Sequence, residues 1–390
     1  MKIERVSVAG VPGLPVHQSQ AVRAAGLLYP SGVMAAGADG RLARMAITAQ
    51  ARTILDRLEQ MSGSLERIVK AQVFLADLRD FAAFDTLWRQ RFKTQPPRTV
   101  MATHGLLVEG ARILVDAIAV DAGTPIEKIS SEVWRAGPLV YLSGQMATDA
   151  KRAVPSAARP EGRRWISPIK AQTAYALTKT ARALEAAGSS FDHVVKAQVF
   201  LRDLMDFPHF DEVWKEHFSS PPPRTTVGVT GLPVPGALVA IDLVAITKDG
   251  PYRREALAVP PGVPAPLANY SVAVTAGPLV FAAGQIASDY TTGVPPEARV
   301  PEAFPYYGIT IKRQARYVLD NIRRVLETAD ASLASVVKAQ VFVEDLADCP
   351  ALEEIWKEFF PEPPSRTIIG TTGLLVPGTR VEIDLTAVRR

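Results

Sequence analysis

A four-residue stretch occurs three times in this chain, and its spacing to two other features never changes. It reads Pro96-Pro97-Arg98-Thr99, Pro222-Pro223-Arg224-Thr225 and Pro364-Ser365-Arg366-Thr367. Twenty-eight residues before each Arg stands the first residue of Lys-Ala-Gln-Val-Phe, at Lys70, Lys196 and Lys338. Eighteen residues after each Arg, a β-branched run carries Asp116, Asp242 and Asp384. Two fixed spacings in three copies make the chain a triplicated module of about 130 residues, enough for each copy to bury a core. The chain must therefore fold as three copies of one small fold, and the repeated Arg is the residue that function has to explain.

The first copy shows the pattern. Ile47, Ala51, Ile54, Leu55 and Leu58 recur at helical spacing, with Gly63 as the stop. Val69, Ala71, Val73 and Leu75 then alternate with Lys70, Gln72 and Phe74, which puts the two sets on opposite faces of a strand. Phe84, Leu87, Trp88 and Phe92 mark a second amphipathic helix, ended by the prolines at 96 and 97. Thr99–Thr103 and Arg112–Val120 are the closing strands. The spacing predicts modules at 1–124, 125–250 and 267–390, with a Pro-rich connector at 251–266 acting as an extended spacer. Modules two and three are longer than module one between Gly144 or Gly284 and the repeated Lys. The extra segments, about 150–165 and 290–307, hold Arg152, Arg159, Arg163, Arg164 and Trp165, then Tyr290, Arg299, Phe304, Tyr306 and Tyr307. Such loops are expected either to cover a cleft or to pack on a neighbour.

Composition narrows the function classes. A net charge of +4 over 390 residues, with no dense Lys/Arg block, gives no footprint for nucleic acid. The one cysteine, Cys349, excludes an intramolecular disulfide and fits a reducing compartment. No apolar run is long enough to span a bilayer and the N-terminus has no signal-like core, so a cytoplasmic protein with no membrane partner is expected. The five histidines have no metal-ligand spacing, and neither metal nor cofactor is expected.

The run from Ser-Gly-Gln through Val-Val-Lys-Ala-Gln-Val-Phe, Asp-Leu-x-Asp-Phe, the aromatic helix and Pro-x-Arg-Thr to Val-Glu-Ile-Asp-Leu-Thr-Ala resembles the Rid/YjgF family of reactive-intermediate deaminases, three times over. The resemblance implies an α+β fold: three tandem chorismate-mutase-like modules, each a mixed sheet backed by two helices. It further implies an intramolecular pseudo-trimer with a central barrel and clefts at the module interfaces, self-contained but open to higher assembly. The implied enzyme is a hydrolase of C–N bonds, an imine/enamine deaminase turning a 2-imino acid into a 2-keto acid and ammonia. No cofactor is implied, since a protonated imine is already electrophilic.

The family's roles carry over unevenly. The carboxylate-gripping Arg matches Arg98, Arg224 and Arg366, and a planar guanidinium suits that task. The water-positioning Glu matches Leu114, Ala240 and Glu382; the cleft Tyr matches Gln18, about Ser130, and Tyr270. Module three alone has all three, so Glu382, Tyr270 and Arg366 are expected to be catalytic in one cleft. Thr367, Ile368, Arg224, Arg98 and Asn321 are expected to bind substrate. In the alternative reading of the arginines, they pair with acids and hold modules together. At the level of function the alternatives are a non-catalytic binder of small carboxylates and an endoribonuclease, an activity also ascribed to the family.

Overall fold

The computed structural model describes residues 2–149, 151–160, 162–163, 165–303 and 308–389. Arg164, Phe304, Tyr306 and Tyr307, named above as insertion contents, lie outside the described residues. Module one runs β1 (Glu4–Val6), β2 (Ala21–Ala24), β3 (Leu27–Pro30), α1 (Ile47–Ser62), β4 (Ile68–Leu75), α2 (Phe81–Arg91), β5 (Arg98–Ala102), β6 (Gly105–Leu106) and β7 (Ile113–Val120). Module two repeats it as β8 (Ile126–Lys128), β9 (Val133–Ala136), β10 (Leu139–Leu142), α3 (Pro168–Ala186), β11 (Val194–Leu201), α4 (Phe207–His217), β12 (Arg224–Gly228) and β13 (Val239–Ile246). Module three comprises β14 (Arg254–Ala256), β15 (Ala273–Ala276), β16 (Leu279–Ala282), β17 (Gln285–Ile286), α5 (Thr310–Glu327), β18 (Val336–Val343), α6 (Cys349–Phe359), β19 (Ser365–Gly370) and β20 (Val381–Val388). No described helix is long and apolar enough to cross a membrane.

Each module is a mixed sheet with two helices. In module one the strand order is β1-β2-β3-β7-β4-β5, antiparallel except for the parallel pair β4/β5 that brackets α2. The apolar positions expected for α1, Ile47, Ala51, Ile54, Leu55 and Leu58, are all buried, and Gly63 caps it in the left-handed conformation at φ 75°. Trp88, Trp214 and Trp356, one per module, are fully buried.

Two expectations change. The segment 251–266 is no free spacer: Arg254–Ala256 is the first strand of sheet three, paired with β15. Beyond it, Val263 joins the module core and Gly262 accepts a 2.8 Å hydrogen bond from Arg324 on α5. The central barrel is not found as a closed sheet among the described residues. The ladders form three separate sheets, because strand pairing between modules is limited to a two-residue pairing of β6 with β19 and to isolated bridges such as Ala102–Gly231 and Val227–Leu374.

Side chains, not ladders, hold the middle. Gln72 donates to Gln198, Gln198 to Gln340, and Gln340 to Gln72, closing a ring across the three modules. Each Gln also donates to the Asp of the next module, Asp242, Asp384 and Asp116 respectively. The repeated lysines pair with the same acids: Lys70 with Asp242, Lys196 with Asp384, and Lys338 with Asp116. All nine side chains are buried, and burial lowers the three lysine pKa values while the Asp partners oppose that shift. Below and above this polar layer lie apolar clusters shared by all modules, one around Phe74, Phe200 and Phe342, the other around Tyr29, Tyr141 and Phe281. The modules thus follow one another cyclically, and each Arg-bearing strand faces the next module.

Candidate functional site

Each repeated Arg stands at the start of the strand that follows the aromatic helix, β5, β12 or β19, and its guanidinium lies over that helix. On α4, Phe207, Phe210, Asp211 and Trp214 fall at i, i+3, i+4 and i+7 and so share one face. That face meets Arg224: Asp211 accepts from Nη2 at 2.8 Å, and the guanidinium carbon sits 5.1 to 5.5 Å from the ring centres of Trp214, Phe207 and Phe210. Arg98 pairs likewise with Asp85 and lies over Phe84 and Trp88. Arg366 pairs with Glu353 and lies over Trp356. These acids were not among the residues singled out from sequence. The signal was available: each stands 13 residues before its Arg.

The carboxylate fixes one edge of each guanidinium and leaves another nitrogen unpaired. Nη1 of Arg98, Arg224 and Arg366 is buried with no hydrogen-bond partner among the described residues. Burial pulls the Arg224 pKa down and Asp211 pushes it back up. What distinguishes the three sites is the next module's contribution.

Arg224 meets module three. Its carbonyl accepts from the Gly284 N–H at 3.3 Å, and its side chain lines a cleft of about 190 Å³ with Thr226, Tyr270, Tyr290 and Glu382. The Tyr270 ring centre lies 6.0 Å from the guanidinium carbon. Glu382 is 4% exposed, and burial with help from neighbouring Asp384 pushes its carboxyl up to about 8; the Thr226 backbone N–H, Lys196 and Arg224 pull the other way. A carboxyl in that range can give and take protons near neutrality. Tyr270 donates to Tyr290 Oη at 2.9 Å, and burial keeps both phenols neutral, Tyr270 pushed up to about 12.

Arg366 is elsewhere, which corrects the expectation that it shares a cleft with Glu382 and Tyr270. Its side chain is fully buried, its N–H donates to Ser31 Oγ of module one at 2.8 Å, and its carbonyl accepts from Gly32. The residue of module one that corresponds to Glu382, Leu114, packs by Gly32 and Thr367. The reason is ladder parity. Arg366 pairs with Ala339 of β18, whereas Glu382 pairs with Phe342 of the same strand. Ala339 and Phe342 are an odd number of residues apart and point to opposite faces, so Arg366 and Glu382 of one sheet cannot meet. An Arg and a Glu of this spacing meet only between consecutive modules.

The other expected binding residues disperse. Thr367 accepts from Lys338 in the interior and Ile368 is in the core of module three. Asn321 lines a groove with Tyr317, Asp320 and Arg324, apart from the Arg224 cleft. Arg98 faces module two, where Ala240 stands at the Glu position. The insertions do reach the arginines: Tyr290 lines the Arg224 cleft, and Arg152 comes within 3.9 Å of Asp85, the partner of Arg98.

A family model described as Endoribonuclease L-PSP matches the chain three times, at residues 14–121, 123–247 and 262–389. Over 128 residues the chain is 34% identical to a 2-iminobutanoate/2-iminopropanoate deaminase of Dermatophagoides farinae, covering 33% of this chain and 91% of that protein. It is 32% identical over 125 residues to the 3-aminoacrylate deaminase RutC of Acinetobacter baylyi, covering 32% and 90% respectively. A RutC family protein of Pyrococcus abyssi is 36% identical over 112 residues, covering 28% and 80%. Among solved structures, a chorismatase aligns over 83% of this chain and 93% of its own with a TM-score of 0.54; at 12% identity this likeness concerns the fold alone.

Proposed function

The chain belongs to the Endoribonuclease L-PSP family, the Rid/YjgF family its motifs resemble, and on that premise we propose that it hydrolyses a 2-imino acid, or its enamine tautomer, in the cleft between modules two and three. The observation that carries the reading is the unpaired Nη1 of a buried Arg224 in the same cleft as Glu382, a buried carboxyl pushed up to about 8. Relatives named as deaminases of imino acids and of aminoacrylate agree with it.

The substrate carboxylate docks on the free edge of Arg224, whose other edge Asp211 fixes. Aromatic rings around the guanidinium exclude water and strengthen that contact. Glu382, ionised, takes a proton from water as the oxygen bonds to the imine carbon and the C=N electron pair moves to nitrogen. With the imine nitrogen protonated at the outset, Glu382 then delivers its proton to the amine nitrogen, the C–N bond breaks as the new hydroxyl passes its proton back to the Glu382 carboxylate, and ammonia and a 2-keto acid leave. Tyr270 and Tyr290, both neutral, close the wall beside Glu382. A cleft of about 190 Å³ suits a small acid better than a polynucleotide, which disfavours RNA cleavage.

Imines generated by an amino-acid oxidase, with keto-acid release followed over time, provide the test. The native protein is expected to accelerate release, and Glu382→Gln to lower kcat by about 10²–10⁴ with KM little changed. No acceleration with any imine would leave the binding-only alternative.

A further inference from the structure

The cleft's charged lining is Arg224 and Glu382, with Thr226 among the polar neighbours that act on Glu382. The rest is hydrocarbon: Phe207, Leu267, Ile286 and Val376, with the rings of Tyr270 and Tyr290. The two tyrosine hydroxyls are engaged with each other at 2.9 Å, so the pair presents ring faces and edges. Leu267, 74% exposed, lies at this wall, one of few large apolar side chains in the described residues left open to water. A substrate carrying only a methyl group would leave most of this surface uncovered.

Tyr290 adds a second observation. It comes from the insertion that module one lacks, and its backbone is left-handed at φ 57°, a conformation unfavourable for a bulky residue. The turn holds it there: the Tyr290 N–H donates to Ser288 Oγ at 2.9 Å, and Asp289 accepts from the N–H groups of Thr291 and Thr292 at 2.8 and 2.7 Å. The strained backbone places a large, half-buried ring on the cleft wall beside Glu382.

Resting on the deaminase reading, we infer that the substrate is a 2-imino acid with a large apolar side chain, branched or aromatic, and that Tyr290 determines this preference. The carboxylate and imine lie at Arg224 and Glu382, and the side chain covers the apolar part of the lining, Tyr290 and Leu267 included.

Two measurements on the full chain test this. In the first, imines from phenylalanine and leucine are hydrolysed with kcat/KM at least tenfold above that for the alanine imine, a discrimination within the range of about 10–200-fold that apolar contacts supply. Tyr290→Ala shrinks that ratio below threefold, and Tyr290→Phe, which keeps the ring, preserves it. An alanine imine handled as well as the others by the native protein, or a ratio untouched by Tyr290→Ala, overturns the inference while leaving the deaminase reading intact. The second measurement needs no turnover: calorimetric titration with phenylpyruvate, 4-methyl-2-oxopentanoate and pyruvate. The two large keto acids are expected to bind at least tenfold more tightly than pyruvate. That ranking with no imine turned over would sink the deaminase reading and keep only the cleft's preference for a large apolar side chain; equal binding of all three, or binding of none, sinks that preference.

Discussion

At the scale of single residues, Glu382 is the group whose environment departs furthest from that of a surface carboxylate. It is raised from 4.5 to about 8 chiefly by burial, with the nearby Asp384 adding to the shift. The native state therefore holds its proton more tightly than the unfolded chain. Its contribution to stability is complete below about pH 4.5, falls as pH rises between 4.5 and 8, and is gone above about 8. Glu382→Gln removes that slope, so its melting temperature relative to the native protein should climb from pH 5 to about pH 8 and then level off. A parallel pair of curves would show that Glu382 is not held in this way. The same proton governs rate. The kcat/KM profile is expected to have a rising limb centred near pH 8, absent in the Gln variant, because a base works only when ionised.

At the scale of elements, the turn between β16 and β17 positions Glu382. A methyl group on Gly284 would fall on the Glu382 carboxylate and on the Thr225 hydroxyl. Gly284→Ala is thus expected to displace the carboxylate and lower kcat/KM at least tenfold; an unchanged rate would mean that the carboxylate's present position is irrelevant. Elements of this kind differ in how far sequence exposes them. The helices were legible because apolar residues at 3.6-residue spacing name the buried face outright, as at Ile47, Ile54 and Leu58. Strand β14 was not, since Arg254-Glu255-Ala256 has neither β-branched residues nor alternation and is followed by prolines. The residue types of the site, Arg, Glu and Tyr, were legible from the repeat and the family resemblance, but their grouping was not. Sequence distance from Arg366 to Glu382 says nothing of which face each occupies; that depends on the pairing of both strands with β18. The Asp211 partner was within reach, since its 13-residue offset to Arg224 recurs in every copy.

For the whole molecule, the cyclic order of modules means that each interface takes its Arg from one copy and the Glu-position residue from the next. Glu382, Leu114 and Ala240 then give one cleft an acid and leave two without. Triplication within a chain permits this divergence, since a symmetric trimer of identical copies would change all three clefts at once. The buried Gln ring and the three Lys–Asp pairs satisfy one another within a single chain. One chain should therefore stand alone, with light scattering giving about the chain mass of 42.1 kDa. A trimeric mass would show that clefts are shared between chains instead.

The central claim is that the working cleft joins Arg224 of module two to Glu382 of module three. Steady-state hydrolysis of the same imine by Arg224→Ala and Arg366→Ala tests it most directly. Loss of a cation that buries a carboxylate costs roughly 2–5 kcal/mol, about 30- to 5000-fold in kcat/KM. Arg224→Ala is expected to fall by that much and Arg224→Lys to recover only part of it, since the planar fork is lost. Arg366→Ala is expected to stay within a few-fold of the native protein. The opposite order, activity lost with Arg366→Ala and kept with Arg224→Ala, would contradict the assignment.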